Sequence, residues 1–429
     1  MQYFSTNNKN IKADFRQATL QGQPIDKGLY FPETIPVLSK DFIANIRQYS
    51  KEEIAFEIIK PYIGYTIEKS VLQKIIAETV AFDFPLVQIS DAISTLELFH
   101  GPTLAFKDVG ARFMSRCLSY FAKNAARKTT VLVATSGDTG GAVANAFYNV
   151  ENVDVVILYP SGKVSDIQEM QLTTLGNNIT ALEIDGTFDD CQQMVKDAFA
   201  DKSLNERVLL TSANSINVAR WLPQQFYYFY AYQQWNEEQP PVISVPSGNF
   251  GNICAGLLAH LSGLPVKHFI AACNENDVAS HYLATGEYAT QPSVQTLSNA
   301  MDVGAPSNFI RILELFGHQY RSLRTVLNSY SISDEITIET IQNVKKKYGY
   351  LLDPHGAVGF ASLELYQGLH KRSKGYFLET AHPVKFEVES IIGEKLELPG
   401  AVKCLFDKKK KSIAMKADAK ELKEFLVNG

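Results

Sequence analysis

The sequence predicts an α/β protein: two open, twisted, mostly parallel sheets flanked by helices, with an accessory N-terminal domain. Three observations predict it. From about residue 100, short β-rich runs alternate with helical runs. Two strand-to-helix junctions, "TSGDTGG" and "SGNFGN", are glycine loops about 110 residues apart. Before about residue 95 the texture is mainly helical and mixed. Strands joined through helices run parallel, with the helices covering the sheet faces.

Taken in order, "SKDFIANIRQYSKEEIAFEIIKPYIG" carries apolar residues at helical spacing and is expected to end at Pro61 and Gly64. A helix is expected to start near Lys107. "TTVLVA" reads as a buried strand, "AVANAFYN" as a helix and "VDVVILYP" as the next strand. "ITALEID" is a further strand. "FDDCQQMVKDAFA" is a helix capped by Thr187 or Asp189. "VARWLPQQFYYFYAYQQW" reads as one long aromatic helix whose rings belong to the core. The Pro240-Pro241 pair opens a second α/β segment, with strands "VISVP" and "VKHFIAAC" around the helix "ICAGLLAHLSG". The expected organisation is an N-terminal accessory domain over 1–95 and a smaller α/β domain over 96–240. A larger α/β domain over 241–400, sharing segments with the others, and a tail over 401–429 follow. The four lysines 408–411 in that tail are read as a solvated turn or helix face.

A chain of 429 residues exceeds one ordinary core. With 45% hydrophobic residues, 20% charged residues and a net charge of −5, it has the composition of a soluble globular protein without a global basic field. Nucleic acid and anionic membranes are therefore not expected partners. No apolar run approaches the ~20 residues that span a bilayer, and the opening residues lack a signal-peptide core. The five cysteines, at 117, 191, 254, 273 and 404, form no C-x-x-C pair. They are read as reduced cysteines of a cytoplasmic protein.

The chemistry centres on Lys107, which sits among Leu104, Ala105, Phe106 and Val109. Cations are favoured at the opposite end of a helix, so a lysine here invites the reading that its amine is not meant to stay charged. Burial disfavours the ammonium form, and a neutral amine attacks aldehydes. Each glycine loop offers unpaired backbone N–H groups and a helix N-terminus, a site for phosphate or carboxylate. Gly248 and Gly251 admit an anion close to the backbone, with Asn249 and Asn252 as further donors. In the first loop Ser136 and Thr139 add hydroxyls, while Asp138 adds a negative charge that suits a cofactor's polar edge better than a phosphate. Neither loop is a P-loop or a dinucleotide fingerprint. The competing readings are an ordinary βα turn for each loop and a surface lysine for Lys107. Taken together, lysine and loops fit pyridoxal 5'-phosphate, which has an aldehyde at one end and a phosphate at the other.

Seven stretches in order, "HGPTLAFKDVG", "TSGDTG", "SANSIN", "SVPSGNFGN", "TLSNAMDVGAPSN", "DPHGAVG" and "TAHPVKF", resemble the bacterial-type threonine synthases, as does the opening "GQPIDKGLYFP". The resemblance covers most of the chain. It implies the tryptophan synthase β type of fold, two α/β domains with pyridoxal phosphate between them. It implies that Lys107 bonds the cofactor aldehyde. Gly248, Asn249, Phe250, Gly251 and Asn252 would cup its phosphate, and the Thr380 hydroxyl would meet its ring nitrogen. Asp138 stands where more distant relatives carry Asn facing the cofactor's 3-oxygen. Ser136, Gly137 and Thr139 resemble the grip on the substrate carboxylate, and Ser215 and Arg220 the grip on its phosphate, for which a guanidinium is well suited. Asn217 and Lys163 are weaker candidates. His355 and His382 are read as structural, and "DPHGAVG" receives no role.

The implied substrate is O-phospho-L-homoserine, converted with water to L-threonine and phosphate, by a monomer or homodimer needing no metal. Two rivals remain at this stage. One is a phospholyase giving 2-oxobutyrate. The other is a non-catalytic phosphometabolite-binding protein.

Overall fold

The computed structural model describes residues 1–123 and 127–428. Residues 124–126 of the second expected segment and Gly429 of the tail lie outside the described residues. Strands β1 (Gln2–Ser5), β2 (Lys12–Asp14) and β3 (Tyr30–Pro32) form a small antiparallel sheet with β1 central. Next come β4 (Leu86–Gln88), β5 (Ile93–Glu97), β6 (Thr129–Ala134), β7 (Val153–Pro160), β8 (Ile179–Asp185) and β9 (Leu209–Ser212). The chain continues with β10 (Val242–Pro246), β11 (His268–Cys273), β12 (Leu327–Ser331), β13 (Gly375–Glu379) and β14 (Ile413–Lys416).

Two larger sheets result. One has six strands in the order β12-β11-β10-β13-β5-β4, all parallel except the β4–β5 edge pair. The other has five parallel strands in the order β14-β8-β7-β6-β9. Helices cover both, as parallel strands buried on two faces require.

The sheets cut across the expected segment borders. The border at 95 falls inside β5, which pairs with β13 just over 280 residues later, Gly375 opposite Ile93. One apolar core runs from Tyr3 and Phe15 through Ile54 to Phe113, Trp221 and Phe269, so the first 95 residues pack into the main body. The tail expected at 401–429 is folded onto the five-stranded sheet. β14 pairs with β8, and the helix Ala419–Asn428 sets Leu422 into the core with Phe425 and Leu426 against it. In the lysine run, Lys410 reaches Glu169 at 2.7 Å and Glu183 at 2.9 Å.

Several local expectations differ from what forms. The helix Lys51–Ile63 continues through Pro61 and stops only at Gly64, whose φ of 61° ends it. The aromatic stretch is not one helix. Val218–Trp221 and Gln225–Gln234 are separated by the 3-10 turn Leu222–Gln224, where Pro223 has no N–H to give. Its rings from Phe226 to Tyr230 are buried. The hydroxyls of Tyr228 and Tyr230 donate to the carbonyls of Asn252 and Lys51. Thr187, rather than Asp189, caps the helix Phe188–Ala200 in a reciprocal pair with Asp190.

The helix Lys107–Ala122 begins where Thr103 donates from its backbone N–H and its hydroxyl to Asp108, at 2.9 Å and 2.5 Å. A carboxylate in the first turn also suits the helix dipole. Further along, Gly110 lets this helix lie against the helix carrying Arg220. A Cβ at Gly110 would come within 2.7 Å of the Arg220 carbonyl oxygen, a backbone atom that has no rotamer to escape into. Gly110→Ala is therefore expected to destabilise the fold by about 1–3 kcal/mol, the usual cost of overpacking. A denaturant titration would read this as a lower midpoint; an unchanged midpoint would contradict the close approach.

Candidate active site

Ligands of open α/β sheets bind beyond the carboxyl ends of the strands, and here those ends converge from both large sheets. Lys107 follows β5, the loop 247–252 follows β10, and Thr380 directly follows β13. From the other sheet, the 135–139 loop follows β6, and Ser215 and Arg220 follow β9. They line one cavity of about 390 Å³.

Lys107 is the first residue of its helix, and 17% of its side chain remains accessible, toward the cavity. The turn before it is zipped to the segment after β13. Phe106 N–H donates to Thr380 O at 2.8 Å, and His382 N–H donates to Leu104 O at 3.0 Å. Leu104 takes a left-handed φ of 58° to make that turn, and the Tyr227 hydroxyl donates to the Phe106 carbonyl. The amine lies 3.7 Å from Asp138 and 5.1 Å from the Phe106 ring centre. Burial pulls its pKa below the ordinary lysine value. Asp138 opposes that shift, while the positive charges of Lys385 and Arg220 add to it.

Asp138 is buried, and its nearest partner is Lys385, at 2.6 Å, with Gln168 Nε2 donating to it at 3.0 Å. Burial alone would raise its pKa. The charges of Lys385 and Lys107 and the hydrogen bonds from Lys385 and Gln168 outweigh that and hold it well below the usual carboxylate range. Ser136 and Thr139 line the cavity with it. Gly137 is not in the wall. With a φ of 132° it makes the turn, tight against Gln168.

The 247–252 loop is an anion nest. Among the described residues, the backbone N–H groups of Gly248, Asn249, Phe250 and Gly251 make no hydrogen bond. A Cβ at Gly248 would meet Met301 Cα at 2.6 Å, and one at Gly251 would meet Ser215 at 3.1 Å. Phe250 has a left-handed φ of 60° and packs edge-on against Phe309. Asn249 ties the loop outward, donating to Ser215 Oγ at 3.1 Å and accepting from Ser307 N–H at 2.6 Å. Asn252 accepts from the Tyr228 hydroxyl at 2.7 Å, and its buried Nδ2 finds no acceptor among the described residues.

Arg220 is buried in the wall, 4% exposed, with one nitrogen donating to Ala213 O at 2.6 Å. Its Nε has no partner among the described residues. Burial lowers its pKa to about 10, which leaves it cationic at neutral pH. Ser215 beside it accepts from Asn308 Nδ2 at 2.9 Å. Behind them lies Arg311, fully buried and stacked 4.4 Å from the Trp221 ring. It donates to the carbonyls of Ser215, Ile216 and Tyr30, at 3.0, 2.6 and 3.0 Å, and so staples the N-terminal sheet to the site.

Of the weaker candidates, Asn217 is a fully buried cap that binds Thr19 O and lies away from the cavity wall, as does Lys163. His355 lines the cavity. Its Nδ1 faces Asp353 at 2.6 Å and its Nε2 accepts from Ala300 N–H at 3.2 Å, which fixes the loop over Gly248. Sequence reasoning missed Lys385, Gln168, Asn308 and Arg311. Lys385 stood inside the quoted "TAHPVKF", but nothing in the sequence marks it as buried.

Pyridoxal phosphate answers both ends of this site. The Lys107 amine suits its aldehyde, and the nest with the unpartnered Asn252 donor suits its phosphate. Residues 92–376 match the family described as pyridoxal-phosphate dependent enzyme, and with its two sheets the chain is an enzyme of that class, of fold type II. Residues 2–80 match the threonine synthase N terminus, and residues 356–426 the threonine synthase C-terminal family. The chain is 43% identical to threonine synthase of Serratia marcescens over 431 aligned residues, covering 100% of this chain and 99% of that protein. It is similar to the crystal structure of threonine synthase from Escherichia coli, with a TM-score of 0.94, 42% identity and full coverage of both chains. It also resembles pyridoxal-phosphate-bound threonine synthase from Brucella melitensis, with a TM-score of 0.91, 34% identity, and 100% and 99% of the two chains covered. The chain belongs to the threonine synthase family.

Gly248 tests the nest. Gly248→Ala forces its loop off the Met301 backbone and should weaken pyridoxal phosphate binding at least about tenfold, the equivalent of about 1.4 kcal/mol. Absorbance titration of the cofactor-free chain reads this, and unaltered affinity would place the phosphate elsewhere.

Proposed function

We propose that this chain converts O-phospho-L-homoserine and water to L-threonine and phosphate, the last step of threonine synthesis, using pyridoxal 5'-phosphate. One observation carries the reading: a single cavity joins the Lys107 amine to two separate sets of anion-binding groups, the 248–252 nest and the Ser215–Arg220 pair. A cofactor phosphate takes one and a substrate phosphate the other.

In this reading Lys107, Asp138, Gly248, Asn249, Phe250, Gly251, Asn252 and Thr380 hold the cofactor. Thr380 meets the ring nitrogen with a hydroxyl, which does not force a proton onto it. When bound, the cofactor supplies a conjugated ring that stores the electron pair left at the substrate α-carbon. Ser136 and Thr139, which line the cavity, take the substrate carboxylate. Lys107 Nζ, as a neutral amine, removes the α-proton and then a proton from the β-carbon. Arg220 and Ser215 hold the γ-phosphate and stabilise the charge that grows on it as it leaves. The γ-carbon takes up a proton to become the methyl, water gives its hydroxyl to the β-carbon and its remaining proton to the phosphate, and Lys107 returns a proton to the α-carbon.

The smaller and larger α/β units at 96–240 and 241–400 are proposed as the two walls around this cavity, with the N-terminal residues as a brace. Among the described residues, no helix is long and apolar enough to cross a membrane. Cys117, Cys191, Cys254 and Cys273 are buried and unpaired, which supports a reducing cytoplasm. A monomer or homodimer is the proposed state.

Incubation with O-phospho-L-homoserine should release phosphate and threonine in equal amounts. Phosphate accompanied by 2-oxobutyrate would make the chain a phospholyase, and no product at all would make it a binding protein. Arg220→Ala removes charged hydrogen bonds worth about 1.5–3 kcal/mol, so kcat/KM should fall about 10- to 150-fold with the cofactor retained. Loss of cofactor at unchanged KM would assign Arg220 to the other phosphate.

A further inference from the structure

Lys385 is completely buried, yet none of the roles above uses it. It ends the short turn Pro383–Lys385, five residues beyond Thr380. Its Nζ lies 2.6 Å from Asp138 Oδ1 and donates to the Thr103 carbonyl at 3.0 Å. Thr103 in turn anchors Asp108 in the first turn of the Lys107 helix. Lys385 thus touches both the carboxylate that faces Lys107 and the turn that presents Lys107.

A buried ion pair is weak as a source of stability, because desolvation offsets the attraction. Its value here lies in what it does to a third charge. Asp138 Oδ2 is 3.7 Å from Lys107 Nζ. A lone carboxylate at that distance in a buried site would hold Lys107 as an ammonium. With Lys385 closer than Lys107, the carboxylate is already paired. The charged groups facing Lys107 are Asp138 from the helix Asp138–Phe147, Lys385 from the turn after β13, and Arg220 from the helix Val218–Trp221. On its own helix, Asp108 turns its carboxylate to Thr103 instead. Two cations and one anion surround the amine: burial presses hardest toward the neutral form, Asp138 opposes it, and Lys385 and Arg220 add to it.

We propose that Lys385 is a positioning residue of this site: by occupying Asp138 it leaves the Lys107 amine without a counter-ion, free to act as nucleophile and base. This rests on the reading of Lys107 as the reacting amine. Lys385 itself touches neither substrate nor the bond that changes.

Competitive acetylation of the full chain freed of cofactor, followed by mass spectrometry of the Lys107 peptide across pH 6–11, reads the midpoint at which that amine loses its proton. Lys385→Met should raise the midpoint by at least about one pH unit, since it both removes a repelling cation and frees Asp138. Lys385→Arg should keep it near the wild-type value. Asp138→Asn combined with Lys385→Met should bring it back to the wild-type value or below, because the freed anion is then gone as well. A folded Lys385→Met chain with an unshifted midpoint overturns the proposal. If that variant does not fold, Lys385→Gln provides the same test, and an unshifted midpoint there overturns it equally. The readout needs neither cofactor nor turnover, so it stays distinct from any failure of the proposed reaction.

Discussion

A lysine that must react as an amine has to leave water without acquiring a counter-ion of its own. That constraint organises this molecule. Lys107 is placed at the head of a helix, against the Phe106 ring and inside a cavity formed at the meeting of two sheets. Among the described residues, the one carboxylate paired with it is shared with a second, fully buried lysine. Burial and the surrounding cations both press toward the neutral amine, the form that the proposed reaction uses.

The fold meets the constraint by converging strand ends. Five parallel strands from two sheets point their carboxyl ends into one space, so the groups that line the cavity come from segments more than 270 residues apart in sequence, Lys107 and Thr380 among them. What holds them in register is mostly backbone. The bonds between 104–106 and 380–382 act as a short clasp joining the Lys107 turn to the end of β13. On the opposite wall Arg311 does similar work, tying Tyr30 of the N-terminal sheet to the Ser215 loop through carbonyl oxygens. The N-terminal residues are therefore part of the support of the substrate-facing loop.

Much of the site was legible in the sequence because its chemistry is local. A lysine in an apolar run and a glycine loop at a strand end each announce themselves within about ten residues, and the ordered motifs tied them to one family. The alternating strands and helices of both large sheets were legible for the same reason. What was not legible depends on tertiary neighbours. Lys385 reads as one more surface lysine until Asp138 is seen beside it. Asn308 and Arg311 work through carbonyls and a serine contributed by remote segments. β5 sits at an expected border because its partner β13 is far downstream, and β14 looked like tail because a four-residue strand has too little pattern to show. Gly137 was grouped with substrate-facing residues by the family resemblance, which does not separate a residue that makes a turn from one that lines a wall.

The central claim is that the Lys107 amine bonds the cofactor aldehyde. Borohydride reduction of the holoenzyme followed by peptide mass mapping tests it most directly. The account predicts a pyridoxyl adduct on Lys107 and loss of the cofactor's yellow absorbance. An adduct on Lys385 or another lysine, with Lys107 unmodified, would contradict it.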